Sequence, residues 1–92
     1  MNRKLLIVML LLLVHAVGAQ TASIRGVVLD ESKALIPGVT VEMEHLATGQ
    51  KRTTITDDEG RFTFLGVPMG TIRVTASLPG FQTSRQEFQV SG

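Results

Sequence analysis

From residue 22 to residue 90, apolar and polar residues alternate with a period of two in one short run after another. The clearest run is PGVTVEMEHL, in which Val39, Val41 and Met43 alternate with polar residues. A period of two places successive side chains on opposite faces of a strand, so each run predicts a half-buried antiparallel strand. None of these runs has the periodicity of an amphipathic helix.

Turn-forming residues separate these runs at intervals of roughly 10 residues, a spacing typical of an all-β sandwich or barrel. They fall at positions 37–38, 48–49, 58–60, 68–70 and 79–80. The pattern predicts an all-β fold with a small antiparallel sandwich or barrel of about six to seven strands. The residues expected to form its core are Ile24, Val28, Val39, Val41, Met43, Phe62, Phe64, Ile72, Val74, Phe88 and Val90.

The first nineteen residues have a different character. Arg3 and Lys4 give a positive start, residues 5–14 form an unbroken apolar run, and Val17 and Ala19 are small or tolerated residues at the −3 and −1 positions of a cleavage site. These three parts are typical of a secretory signal peptide. We therefore expect a signal peptide at residues 1–19, cleavage after Ala19, and export to the periplasm, the outer membrane or the outside of the cell.

The rival interpretation of this segment is an uncleaved membrane anchor. Even when extended to Ala19, the apolar run is shorter than the ~18 to 20 residues of a spanning helix, and it contains His15. We therefore expect no transmembrane span after cleavage. A lipoprotein anchor is excluded because it needs a cysteine and the chain has none.

Cleavage would leave a domain at residues 20–92. Loss of Arg3 and Lys4 from the 9 basic residues leaves 7 against 8 acidic ones, a net charge of −1. The remaining basic residues are scattered apart from the pair Lys51 and Arg52, so no nucleic-acid interface is expected. A domain of this size buries roughly 60% of the surface of its unfolded chain, and we expect marginal stability unless a metal, a neighbouring domain or a partner assists.

Two long stretches of the domain, taken in order, resemble a known family. IRGVVLDESKALIPGVTVEM and TGQKRTTITDDEGRFTFLGVPMGTIRVTASLPGF are similar to the carboxypeptidase regulatory-like domain. The shared features are a Gly-x-Val strand, an Asp-led loop, a Pro-Gly turn, Thr-Asp-x-x-Gly-x-aromatic-x-Phe, a Pro-x-Gly turn and a final Gly-Phe. The resemblance covers residues 24 to about 81.

This resemblance implies an Ig-like, transthyretin-like (prealbumin-like) β-sandwich, in a superfamily grouped with carbohydrate-binding-like folds and related to Cna B-type repeats. Such domains are not catalytic themselves. They occur beside metallocarboxypeptidase domains and at the N-terminus of bacterial TonB-dependent outer-membrane receptors.

The chain departs from the family pattern at three places. Lys33 stands where many members have a glycine, so we expect a differently shaped loop, because a left-handed lysine costs roughly 1 to 2 kcal/mol. Ile72 stands where a tyrosine is frequent. The sequence ends in EFQVSG, where relatives usually add one more strand. A sandwich short of its last strand has an open edge, which a partner strand or self-association would complete.

The domain offers little for catalysis. It has no Cys, Tyr or Trp, its serines lack a Gly-x-Ser-x-Gly motif, and His45 is its single histidine. We interpret His45 as a structural residue, and one histidine with scattered carboxylates does not make a zinc site. The domain has no asparagine, and Lys33 and Lys51 lie in or beside predicted loops, so no isopeptide crosslink of the Cna B type is expected. We predict no enzyme activity, no catalytic residue and no cofactor.

Three consecutive carboxylates, Asp57, Asp58 and Glu59, precede Gly60. A calcium loop of the EF-hand type needs ligands at fixed positions and a later glutamate, which this sequence does not supply. Asp57 and Asp58 are therefore weak metal candidates. We predict instead a structural hairpin, in which Asp57 caps the turn and Gly60 takes a positive φ.

Three functions remain open from the sequence. The first is a structural or protein-interaction module at the cell envelope, with partners bound by edge-strand pairing or supplied by a neighbouring receptor. The second is carbohydrate binding, for which Phe81 in the Pro-Gly-Phe turn is the one ligand-contact candidate, although we favour turn anchoring as its role. The third is a truncated N-terminal piece of a TonB-dependent receptor.

Overall fold

The computed structural model describes residues 4–13 and 21–91 of the chain. The described residues form strands joined by turns and contain no helix, and hence none that is long and apolar enough to cross a membrane. The strands are β1 (Lys4–Leu13), β2 (Thr21–Asp30), β3 (Thr40–His45), β4 (Gln50–Ile55), β5 (Arg61–Pro68), β6 (Gly70–Ser77), β7 (Phe81–Gln82) and β8 (Ser84–Val90).

Two four-stranded sheets pack face to face. One has the strand order β5-β2-β1-β7 and the other has the order β4-β3-β6-β8. Neighbouring strands are antiparallel except for the short parallel pair β1 and β7. The predicted all-β sandwich is confirmed. The strand number is larger than the predicted six to seven, because β1 comes from residues assigned to the signal peptide and β7 has two residues.

The core lies between the two sheets and consists of the side chains that the alternation pointed inward. Of the predicted core residues, all are buried except Phe88, which is partly buried against the cluster. Phe62 and Phe64 meet edge to face with ring centroids 6.0 Å apart. Additional buried residues include Leu6, Val8, Ala22 and Val67.

The connections between strands differ from the prediction in one respect. β3 and β4 pair directly and form a hairpin, and its turn at residues 46–49 includes the turn-forming residues 48–49 of the sequence. β4 and β5, by contrast, lie in different sheets, so the turn at residues 57–60 is a crossover between sheets, and the predicted hairpin is wrong. Residues 68–70 also carry the chain from one sheet to the other, between β5 and β6. Local turn residues indicate that the chain reverses, whereas they do not determine which strand it joins.

The first strand occupies an inner position of its sheet. β1 lies between β2 and β7, and its register with β2 runs from Leu6 opposite Asp30 to Leu13 opposite Ser23. The predicted cleavage position after Ala19 lies outside the described residues. Residues 4–13 therefore have a place in the sandwich, although their sequence predicts a signal peptide.

The loop after β2 contains Lys33 in the left-handed conformation, with φ at 69°. The expectation that lysine would change the shape of this loop is wrong. The Asp30 carboxylate accepts hydrogen bonds from the main-chain N–H groups of Ser32 and Ala34, at 2.8 and 3.0 Å, and the Lys33 N–H donates to the Asp30 carbonyl at 2.9 Å. These bonds hold the loop in a shape that strains the lysine.

Replacing Lys33 with glycine relieves this strain, and we predict that Lys33→Gly stabilises the domain. The relief of about 1 to 2 kcal/mol exceeds the entropic cost of about 0.5 to 1 kcal/mol for a new glycine. We expect the Tm to rise by about 2 to 6 °C in thermal unfolding followed by circular dichroism. The matched control is Glu31→Gly in the same exposed turn, where φ is not positive and no gain is expected. An equal rise in both variants would contradict the strain at Lys33.

Candidate functional site

The carboxylate turn at residues 57–60 is built around Asp57. Its Oδ1 accepts hydrogen bonds from the N–H groups of Glu59 and Arg61, each at 2.9 Å. The Gly60 N–H donates to the Asp57 carbonyl at 2.9 Å, and the Asp57 N–H donates to the Arg61 carbonyl at 3.0 Å. The side chain therefore closes the turn, which is the capping role predicted for it.

Gly60 takes the predicted positive φ, at 72°, and also has a second role. Its carbonyl accepts a 2.8 Å hydrogen bond from the N–H of Val28 on β2. A Cβ at this position would lie 2.9 Å from the Val28 carbonyl oxygen. Glycine is thus required both by the backbone conformation and by the close approach of the turn to β2.

The electrostatics of the turn follow from the same hydrogen bonds. The N–H groups of Arg61 and then Glu59 lower the pKa of Asp57, because they stabilise its charged form. A slight desolvation works in the opposite direction, and the Arg61 charge lowers the pKa further. Within residues 4–13 and 21–91, no group of three or more potential ligands could hold a metal ion. The geometry gives Asp57 a structural role. The exposed Asp58 likewise belongs to no such group of potential metal ligands among the described residues.

An open groove of about 470 Å³ lies beside this turn, with Arg25, Asp57 and Arg61 in its lining. Both guanidinium groups are at the exposed surface, and Arg61 forms an exposed ion pair with Glu59 at 3.7 Å. Charges in such a hydrated setting attract one another weakly. The groove therefore has no pair of desolvated groups suited to chemistry.

His45 is buried and both of its ring nitrogens have partners. Nε2 lies 2.7 Å from the Met69 carbonyl oxygen and Nδ1 lies 3.0 Å from the Thr48 hydroxyl. A carbonyl accepts only, so Nε2 carries the hydrogen, and in the neutral ring Nδ1 accepts from Thr48. This arrangement joins the β3–β4 turn to the β5–β6 connection, which confirms the structural interpretation of His45.

Thr56, which the sequence gave no reason to select, is the other buried polar residue of the described chain. Its hydroxyl donates to the Ile36 carbonyl and accepts from the Val39 N–H, each at 2.9 Å. These bonds fasten the crossover to the loop before β3. A threonine at a strand end is too common in sequences to signal such a role.

Phe81 lies at the start of β7 and is partly buried against the core. Its N–H closes the preceding turn by donating to the Leu78 carbonyl at 3.0 Å, and its main chain pairs with Lys4 of β1. These contacts fit an anchor for the turn. The ring is committed in part to packing, which leaves less of its face for a sugar ring.

Gln86 on β8 makes a contact that the sequence did not predict. Its Nε2 donates to the carbonyl oxygen of Val8 on β1 at 2.7 Å, across the sandwich. Gln86 precedes Phe88 by two residues and therefore shares its inward face, so the period-two pattern could have identified it. A polar side chain on the inward face of a strand needs a hydrogen-bond partner, and Val8 provides it.

The fold and these turns define a small β-sandwich domain whose polar side chains hold its loops in place. The chain belongs to the carboxypeptidase regulatory-like domain family, because the model of that family matches residues 23–92. Comparisons with curated proteins and with solved structures gave no match. The family match confirms the resemblance inferred from the sequence, and the family itself is non-catalytic. The matched region begins inside β2, so β1 lies outside it.

The geometry of the turn predicts a pH-dependent role for Asp57. The carboxylate has a lowered pKa in the folded chain, so its stabilising effect is present above the pKa of the unfolded chain. The effect is lost as the pH falls through the lower folded-state pKa. We expect Asp57→Ala to lower the Tm at pH 7, and the difference from the wild type to shrink below about pH 3.9.

The control is Asp58→Ala, which removes the adjacent exposed carboxylate and should leave the Tm nearly unchanged both at pH 7 and below about pH 3.9. Thermal unfolding at pH 7 and at lower pH checks both variants. A loss of stability for Asp57→Ala that is constant with pH would contradict the role of the charged carboxylate.

Proposed function

We propose that this protein is an exported, non-catalytic β-sandwich module that serves a structural or protein-interaction role at the cell envelope. The observation that carries this proposal is that the polar side chains best suited to catalysis are engaged in hydrogen bonds that hold the fold together. Asp57, His45 and Thr56 each hold main-chain or turn groups of the fold. Membership of a non-catalytic family agrees with this use.

Export is supported by the sequence of residues 1–19, with its positive start, apolar run and small residues before Ala19. A protein-binding role is supported by the extended sheets, since strand edges present main-chain donors and acceptors to a partner strand. β4 is one such edge strand, although Lys51 and Arg52 lie along it, and charged residues on an edge oppose uncontrolled pairing.

A second form of the same proposal is that the chain is the N-terminal module of a TonB-dependent receptor. The family resemblance supports it. An adjacent reading frame that encodes such a receptor without its own N-terminal domain would favour this form. A genomic neighbourhood without a receptor would favour an independent module.

Processing of the leader tests the export proposal directly. We expect the full chain, expressed in a bacterial host, to be recovered from the envelope fraction as a protein whose intact mass corresponds to a chain that begins at Gln20. Ala19→Gln should block cleavage, because the −1 position requires a small residue. The matched control, Gly18→Gln, places the same side chain at the −2 position and should be processed. Recovery of wild-type protein in the cytosol with residues 1–19 attached would overturn the proposal.

A further inference from the structure

The strand β1 fills a position in the middle of its sheet, yet it comes from the segment predicted to be removed. On one side it pairs with β2 from Leu6 to Leu13, and on the other with Phe81 and Gln82 of β7. Without residues 1–19, β2 keeps β5 on one side but loses its partner on the other side along this whole length. A long edge of this kind is a template for an added strand.

The side chains of β1 show which chemistry this position accepts. Leu6 and Val8 point into the core and are 2% and 5% exposed. Leu5 and Met9 point outward and are 45% and 55% exposed. The position therefore requires aliphatic side chains at alternate residues and tolerates other side chains between them.

The main chain of β1 has a dedicated contact as well. Val28 lies opposite Val8 but directs its main-chain hydrogen bonds elsewhere: its N–H donates to the Gly60 carbonyl, and its carbonyl accepts from the Ile36 N–H. The Val8 carbonyl is taken instead by Gln86 from the opposite sheet. Because every residue has a main-chain carbonyl, this amide can hold any strand that enters in the same register.

The close approach of the strand to its neighbours also depends on Gly26. A Cβ at Gly26 would lie 2.7 Å from the Met9 carbonyl oxygen and 2.5 Å from the Phe62 ring. The absence of a side chain at this point of β2 lets both a neighbouring strand and the Phe62 ring come close. The position is thus shaped on three sides, by β2, by the core cavity that Leu6 and Val8 fill, and by Gln86.

We propose that removal of the leader opens this position, here called the β1 slot, to an extended strand of a partner protein with aliphatic side chains at alternate positions. The incoming strand runs antiparallel to β2, and Gln86 holds one of its carbonyls. This proposal rests on the export proposed above, because the slot is open after cleavage. It deepens the interaction role by naming the surface and the kind of partner.

A second copy of the processed chain is a poorer occupant. The described strands that carry alternating aliphatic residues, such as β3 and β6, already supply Val41, Met43, Ile72 and Val74 to their own core. Giving one of them to a neighbour would empty the core it came from. A partner with a free apolar segment has no such cost.

The test uses processed protein recovered from the envelope and a synthetic peptide of residues 4–10 with lysines added at its end for solubility. We expect the peptide to bind and to protect the β2 amides from hydrogen exchange. A peptide carrying Leu6→Asp and Val8→Asp should bind at least about tenfold more weakly. The matched peptide with Leu5→Asp and Met9→Asp also replaces two apolar residues with aspartate, but on the outward face, and should retain binding.

The protein variants test the hydrogen bond to the incoming strand. Gln86→Ala should weaken peptide binding several-fold. Gln89→Ala changes the same residue type on the exposed face of β8, where it contacts Thr71, and should leave binding unchanged. The uncleaved Ala19→Gln chain carries its own β1 and should not bind the peptide.

The outcomes separate this proposal from the proposed function. Failure of processing counts against export, whereas processed protein that binds no peptide overturns the slot and leaves export intact. Equal binding of the inward and outward peptide variants overturns it too, since it indicates unspecific adsorption. A processed protein that forms a stable dimer with protected β2 amides makes a second copy the occupant and also overturns the proposal.

Discussion

The main-chain hydrogen bonding of β2 is the constraint on which the remaining structure depends. β2 pairs with β5 on one side and β1 on the other, so it lies inside its sheet. Within β2, the Val28 carbonyl accepts a hydrogen bond from the Ile36 N–H, and the Val28 N–H donates to the Gly60 carbonyl. The loop before β3 and the carboxylate turn are both fastened to this one residue. Since a buried main-chain group without a partner is costly, anything that changes the neighbours of β2 affects the whole sandwich.

The sequence predicted what each strand buries, because a period of two assigns every side chain to a face without reference to other strands. It did not predict which strands pair. The turn at residues 57–60 looked like a hairpin, since Thr56 is followed by residues that reverse the chain, yet it carries the chain from one sheet to the other. Pairing is decided by packing over the whole core, and no short stretch of residues contains that information.

The turn residues show the same division between local and distant interactions. The cap formed by Asp57 was predictable because its hydrogen bonds span at most four residues, whereas the hydrogen bond between Gly60 and Val28 had no local signal. Lys33 was mispredicted although its loop is local, because the hydrogen bonds of Asp30 offset the strain of the left-handed conformation. The contact of Gln86 joins residues 78 positions apart and has no local signal beyond its inward position. Residues 4–13 were ambiguous in principle, because a continuous apolar run suits both a signal peptide and a buried strand.

The position of β1 between β2 and β7 has a consequence for the order of events during synthesis. Its contacts with Phe81 and Gln86 join the two ends of the chain, and contacts between distant residues form slowly because the intervening loop has to close first. The first strand can reach its complete set of neighbours only after residues 81–90 have been made. Throughout translation, the apolar segment is therefore free of its final partners and accessible to whatever meets the emerging chain.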